Sequence, residues 1–103
     1  MRKRYLTVPK NKRGIDECEY GIQHTENMIE AVLDEDEFDK LWKNDVFRTI
    51  NDRCQLMIDD YESEDINAEN ISKCMDVISI IPGKFLEMAR LAVNYDTFLQ
   101  LDF

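Results

Sequence analysis

Asp45-Val-Phe-Arg-Thr-Ile-Asn-Asp-Arg-Cys-Gln-Leu-Met-Ile-Asp-Asp-Tyr-Glu62 carries the clearest periodicity of the chain. Val46, Ile50, Cys54, Met57, Ile58 and Tyr61 recur at intervals of 4, 4, 3, 1 and 3. That spacing stacks them on one face of a helix with polar residues opposite. It predicts a helix over 45–62, capped by Asn44 or Asp45.

Upstream, Phe38, Leu41 and Trp42 stand at i, i+3 and i+4 behind an acidic first turn, Asp34 to Glu37. Acids there suit the positive end of a helix dipole, so a short helix is expected, with Trp42 turned toward the core. Cys18, Ile22, Ile29, Val32 and Leu33, with Met28 beside them, fall near helical spacing, so a further helix is read from Asp16, or from a Thr25 cap. Arg4-Tyr-Leu-Thr-Val8 alternates weakly and stops at Pro9, as a short strand or extended arm would. Lys10 to Gly14 reads as a loop with Gly14 as its turn residue.

Downstream, 62–66 is a connector, and Asn67 caps a helix running to Ile80 with Ile71, Cys74, Met75 and Ile78 inward. Pro82-Gly83 ends it. A last helix spans 84–95, and Thr97 to Phe103 alternates like a strand, a possible partner for Arg4–Val8. The expected fold is therefore mainly α: a four- to five-helix bundle with short extended ends. Its single domain over 1–103 divides into a basic arm (1–14), helices (15–95) and an apolar tail (96–103).

Composition narrows the function. The chain is 44% hydrophobic, enough for a core. No apolar run approaches the ~18–20 residues of a membrane span, and no apolar stretch follows the basic start, so neither membrane insertion nor a secretory signal is expected. Cys18, Cys54 and Cys74 form no C-x-x-C pair. They read as free thiols in a reducing, cytoplasmic setting.

The net charge of −9 is uneven. Residues 1–14 hold six Lys or Arg and no acid, and the rest of the chain carries a net −15. Such a body repels nucleic acid and anionic membrane and attracts basic protein surfaces. The basic arm, Arg2, Lys3, Arg4, Lys10, Lys12 and Arg13, lacks interleaved aromatics beyond Tyr5 and is as well suited to folding onto the chain's own acids.

Catalytic signals are missing. The one histidine, His24, lies in a polar stretch with no nucleophile placed beside it in sequence. Counted as an EF-hand loop, Asp34 onward offers Phe38 at position 5 and Asp39 at the glycine position, and Asp60 onward ends on Ile71 where a bidentate acid belongs. No Gly-rich phosphate loop, G-x-S-x-G or H-E-x-x-H occurs. No enzyme activity, cofactor or metal is expected.

Two acidic runs remain: Asp34, Glu35, Asp36, Glu37 and Asp39, then Asp59, Asp60, Glu62, Glu64 and Asp65. Phe38 and Trp42 flank the first and Tyr61 sits within the second. An aromatic anchor ringed by carboxylates suits a basic protein target, which makes these acids and Tyr61 the candidate partner-binding residues. The plainer alternative is that they are helix-end and connector acids with the aromatics in the core.

Ile58-Asp-Asp-Tyr-Glu-Ser-Glu64, Val77-Ile-Ser-Ile-Ile81 and Ala92-Val-Asn-Tyr-Asp-Thr-Phe-Leu-Gln-Leu-Asp-Phe103 resemble small bacterial immunity proteins. These are the inhibitors encoded beside contact-dependent growth inhibition toxins and related polymorphic toxins. The resemblance covers the C-terminal half and rests on a loose pattern. It implies a cytosolic antitoxin that binds a toxin domain, often a nuclease, and covers its basic active-site cleft. Two other readings use the same residues: an acidic nucleic-acid mimic of phage or plasmid origin, and a small metal-dependent enzyme or regulatory subunit.

Overall fold

The computed structural model describes residues 3–103; Arg2 of the expected basic arm lies outside them. The described residues form β1 (Arg4–Pro9), α1 (Lys12–Glu19), β2 (Met28–Leu33), α2 (Glu35–Lys43), α3 (Val46–Cys54), β3 (Ser63–Asn67), α4 (Ala68–Lys73), α5 (Met75–Ile78), α6 (Lys84–Tyr95) and β4 (Phe98–Asp102). The strands make one antiparallel sheet in the order β2-β1-β4-β3. This is an α/β fold, and it overturns the mainly α helical bundle expected from the periodicity.

The sheet arises because alternating residues on its strands supply a continuous apolar face. Leu6 and Val8 of β1, Leu99 and Leu101 of β4, Ile66 of β3 and Leu33 of β2 are buried. Helices α2 to α6 close over that face, and Phe103 joins them from the chain end. Phe38, Trp42, Phe47, Phe85 and Phe103 interlock in the space between, with Phe47 edge-on to Phe85 at 5.3 Å and to Trp42 at 5.1 Å. Such edge contacts add to area burial. Trp42 itself is half-buried at the margin of this cluster.

The expected pairing of the two extended ends is present. Tyr5, Leu6 and Thr7 lie opposite Asp102, Leu101 and Gln100. What the periodicity misreads is the two edges of the sheet. Met28 to Leu33 is a strand paired along its whole length with β1, from Pro9↔Met28 to Arg4↔Leu33. Ser63 to Asn67, most of which falls in the expected 62–66 connector, is the other edge strand.

Helix α3 also ends early, at Cys54 rather than at residue 62. Gln55 turns left-handed (φ 55°) and the chain leaves the helix. Of the apolar residues beyond, Ile58 is buried while Met57 and Tyr61 are 79% and 80% exposed. The expected helix over 67–80 is broken at Cys74 into α4 and α5, and its Asn67 cap is in place, accepting from the Asn70 amide at 2.8 Å.

The segment read as a loop over 10–14 starts α1, capped by Asn11, whose side chain accepts from the Gly14 amide at 2.9 Å. Gly14 is there for space, not for a turn. A Cβ at this position would collide with the Asn27 carbonyl oxygen and crowd Pro9. Inside a helix, Gly→Ala ordinarily stabilises by about 0.5–1 kcal/mol. Gly14→Ala is expected to reverse that sign and cost about 2 kcal/mol, because the blocking atom is backbone. Urea denaturation of the two proteins measures the difference; a stabilised variant would refute the close approach.

Candidate functional site

Arg4 organises the acidic residues. It alternates with Leu6 and Val8, so it enters the core face and is only 7% exposed. Its guanidinium carbon lies 3.7 Å from the centre of the Phe38 ring. Nη1 donates to Glu35 at 2.6 Å, while Nε and Nη2 donate to the two oxygens of Asp60 at 3.2 and 3.0 Å. The Asp60 hydrogen bond is the leading reason the guanidinium holds its proton more tightly than usual, opposed by burial and aided by Glu35. Two acidic runs that are separate in sequence therefore meet on one cation that had been read as part of a surface arm.

Four of the other eight candidate acids accept hydrogen bonds from backbone amides. Asp34 caps α2, accepting from the Glu37 amide at 2.8 Å. Glu37 reaches across to α6 and accepts from the Lys84 and Phe85 amides at 3.0 and 2.8 Å. That places a carboxylate on two otherwise unsatisfied donors at the positive end of the longest helix. Gly83, at φ 155°, keeps the space for it; a Cβ there would meet the carboxylate. Asp59 accepts from the Asp60 amide at 2.8 Å, and Glu64 accepts from the Met57 amide at 3.1 Å. Asp36, Asp39 and Glu62 are exposed.

Asp65 is separated from the rest. It alternates with Ile66 and so projects from the opposite face of the sheet, beside Gln100 on β4. Cys18 on α1 approaches this face, within electrostatic reach of Asp65 and Glu30. Burial first, then these carboxylates and Glu17, push its thiol up. Burial likewise raises the Asp65 carboxyl, opposed by a hydrogen bond from Gln100 and reinforced by Glu64 and Glu19.

The segment 55–62 bounds a cleft of about 530 Å³. Asn51, Leu56, Met57, Ile58, Asp59, Glu62, Ser63 and Glu64 line it. Asn51 pins the segment: its side chain accepts from the Ile58 amide at 2.7 Å and donates to the Ile58 carbonyl at 3.0 Å. Gln55 and Tyr61 both sit at positive φ, 55° and 68°. Non-glycine residues there carry backbone strain that the surroundings must hold. The cleft offers carboxylates and amide groups with an exposed thioether and phenol ring beside them. Those groups suit a cationic side chain bound alongside an apolar one.

Met57 and Arg4 are absent from the candidate partner-binding residues read from sequence. Arg4 was recoverable, since its alternation with Leu6 and Val8 puts it on the core face. Met57 was not, because its spacing fits a continued helix. Among the described residues no group of three or more His, Cys, Asp or Glu could hold a metal ion, and no helix is long and apolar enough to cross a membrane. No family model, curated protein or solved structure matches the chain.

Two outcomes follow from the charges. Arg4→Met keeps the stem but removes the guanidinium that Glu35 and Asp60 share. It is expected to cost about 2–3 kcal/mol by chemical denaturation, below the full buried-pair figure because both carboxylates keep some water. For Asp65, the folded-state pKa lies above the unfolded one, so the folded state binds its proton more tightly. Its contribution is then favourable below the unfolded pKa and is lost as pH rises through the folded one. Asp65→Asn should raise Tm by at most about 3 °C at pH 7, since the side chain keeps part of its water, and by nothing measurable at pH 3. Equal shifts at both pH values would contradict the assignment.

Proposed function

We propose that this protein is a cytoplasmic immunity protein that neutralises a cognate toxin, a nuclease domain, by binding over its basic active-site cleft. The observation that carries the reading is the strained, exposed segment 55–62. It sets Met57 and Tyr61 outward at 79% and 80% exposure among Asp59, Glu62 and Glu64. A large side chain held outward at positive φ is poor economy for stability and suits a contact surface. The net charge of −9 adds long-range attraction toward a cationic partner.

The contact surface is narrower than the two acidic runs together. Asp59, Tyr61, Glu62 and Met57 form its centre. Asp39 extends it, one helical turn from Glu35 and thus beside the Arg4 junction. Asp34, Glu37 and Glu64 support it through the backbone amides they accept from. Asp65 lies on the other face of the sheet and is left out. The inhibitor acts by occlusion: its carboxylates pair with the lysines and arginines that would otherwise hold substrate phosphates.

The test is co-expression with the toxin-like domain encoded next to it, followed by association kinetics on the purified pair. Growth protection and a complex are expected. Asp59→Lys with Glu62→Lys should slow association about tenfold at low salt and flatten its salt dependence. Tyr61→Ala should act on dissociation instead. Absence of both protection and complex would overturn the antitoxin reading. Binding untouched by these substitutions would overturn the surface.

A further inference from the structure

Cys54 and Cys74 end one helix and separate two others, and the fold brings their sulfurs to 3.6 Å. Both are free thiols. Their backbones are held in step by the residue before Cys54: Arg53 donates to the carbonyl of Lys73, the residue before Cys74, at 3.0 Å. The same guanidinium clasps Asp76 at 2.7 and 3.2 Å. Cys54 lies 3.8 Å from the Asn70 carbonyl, so α4 also fixes the approach. A disulfide needs the sulfurs to close to about 2.05 Å, a movement that side-chain rotation and a small backbone adjustment supply when they already touch.

We propose that Cys54 and Cys74 are an oxidation site, forming an intramolecular disulfide on exposure to a hydroperoxide. Cys54 is half-buried and Cys74 fully buried, so Cys54 is the thiol an oxidant reaches first. Burial, then the neighbouring Cys54, push the Cys74 thiol up to about 11, so Cys74 stays protonated while Cys54 meets the peroxide and reacts only with the sulfenic acid formed beside it. The Cys54 thiolate attacks one peroxide oxygen, the O–O bond breaks, and Cys54 becomes a sulfenic acid as hydroxide leaves. The Cys74 sulfur then attacks the Cys54 sulfur, the S–O bond breaks, and water departs. In sum two thiols and one hydrogen peroxide give one disulfide and two waters, with both electrons taken up by the peroxide.

The bond would staple the segment between the two cysteines at its base. That segment holds the strained cleft wall 55–62, edge strand β3 and helix α4. Cross-linking it restricts the unfolded chain and ties the C-terminal end of α3 to the α4–α5 junction. The inference is independent of the partner assigned above and stands whether or not that partner is a toxin.

The experiment treats the purified protein with hydrogen peroxide at neutral pH. Titratable thiols should fall from three to one. A non-reducing tryptic digest should give peptides 54–73 and 74–84 joined by a bond that dithiothreitol breaks. Tm should rise by roughly 10 °C and return on reduction. Cys18→Ser should keep the shift, and Cys54→Ser, at a helix end, should lose it. Three thiols persisting after dithiothreitol itself has been oxidised under the same conditions would overturn the proposal. So would over-oxidation of Cys54 without the joined peptide, or cross-links between chains only. The peptide map needs no variant, so a failure of Cys54→Ser to fold leaves the test intact.

Discussion

A guanidinium on the core face of a sheet is costly unless something replaces its water, and the placement of α2 and the segment 55–62 answers that demand. Arg4 is 7% exposed, yet its two carboxylate partners keep 45% and 33% of their side-chain surface. The pair is thus buried on one side only. The cation is desolvated by the Phe38 ring and the core, while the carboxylates remain in contact with water and avoid most of their own desolvation cost. Such an arrangement adds little net stability over a methionine with an apolar partner. What it does is specify. The planar guanidinium fixes where Glu35 on α2 and Asp60 must sit to accept its three hydrogen bonds.

That constraint explains how so acidic a chain tolerates its runs of like charge. Asp34 and Glu37 each satisfy amides at a helix start, where the dipole favours an anion. Glu64 satisfies an amide of the strained segment. Glu35 and Asp60 share a cation. The donors and the cation give each of these carboxylates a favourable interaction that offsets the repulsion from its neighbours. Of the two acidic runs, Glu37, Asp60 and Glu64 are partly buried and the other seven acids face solvent.

The legible parts of this fold were those with a single consistent signal. Phe38, Leu41 and Trp42 gave a helix, Asn67 a cap, and Leu99, Leu101 and Phe103 an alternation. β2 escaped because Ile29, Val32 and Leu33 satisfy i, i+3 and i+4 as well as they satisfy anything. The competing alternation Ile29–Ala31–Leu33 was weak, since alanine contributes little apolar contrast. β3 escaped for the opposite reason: in Ser-Glu-Asp-Ile-Asn only Ile66 faces the core, so no pattern exists to find. The overlong helix at 45–62 came from a true amphipathic stretch continued by chance, as Met57 and Tyr61 fit the period but point to solvent. The site was half legible by the same logic. Composition found the carboxylates, and Asp34 caps locally, but that Glu37 caps α6 depends on contacts 47 and 48 residues apart that no local pattern encodes.

The two sheet edges show how charge and conformation share the remaining work. An open strand edge invites pairing with another chain unless it is short, charged or bent. β3 is five residues long with Glu64 and Asp65 in its middle, so its edge is guarded by charge, and the acidic cleft beside it draws on the same residues. β2 is longer and more apolar, with Val32 at 46% exposure and Glu30 as its one acid. The chain thus concentrates negative charge on the edge that borders its strained segment. A basic partner approaching there meets carboxylates before it meets backbone. For the basic partner proposed above, side-chain charge rather than strand addition would govern association on that side.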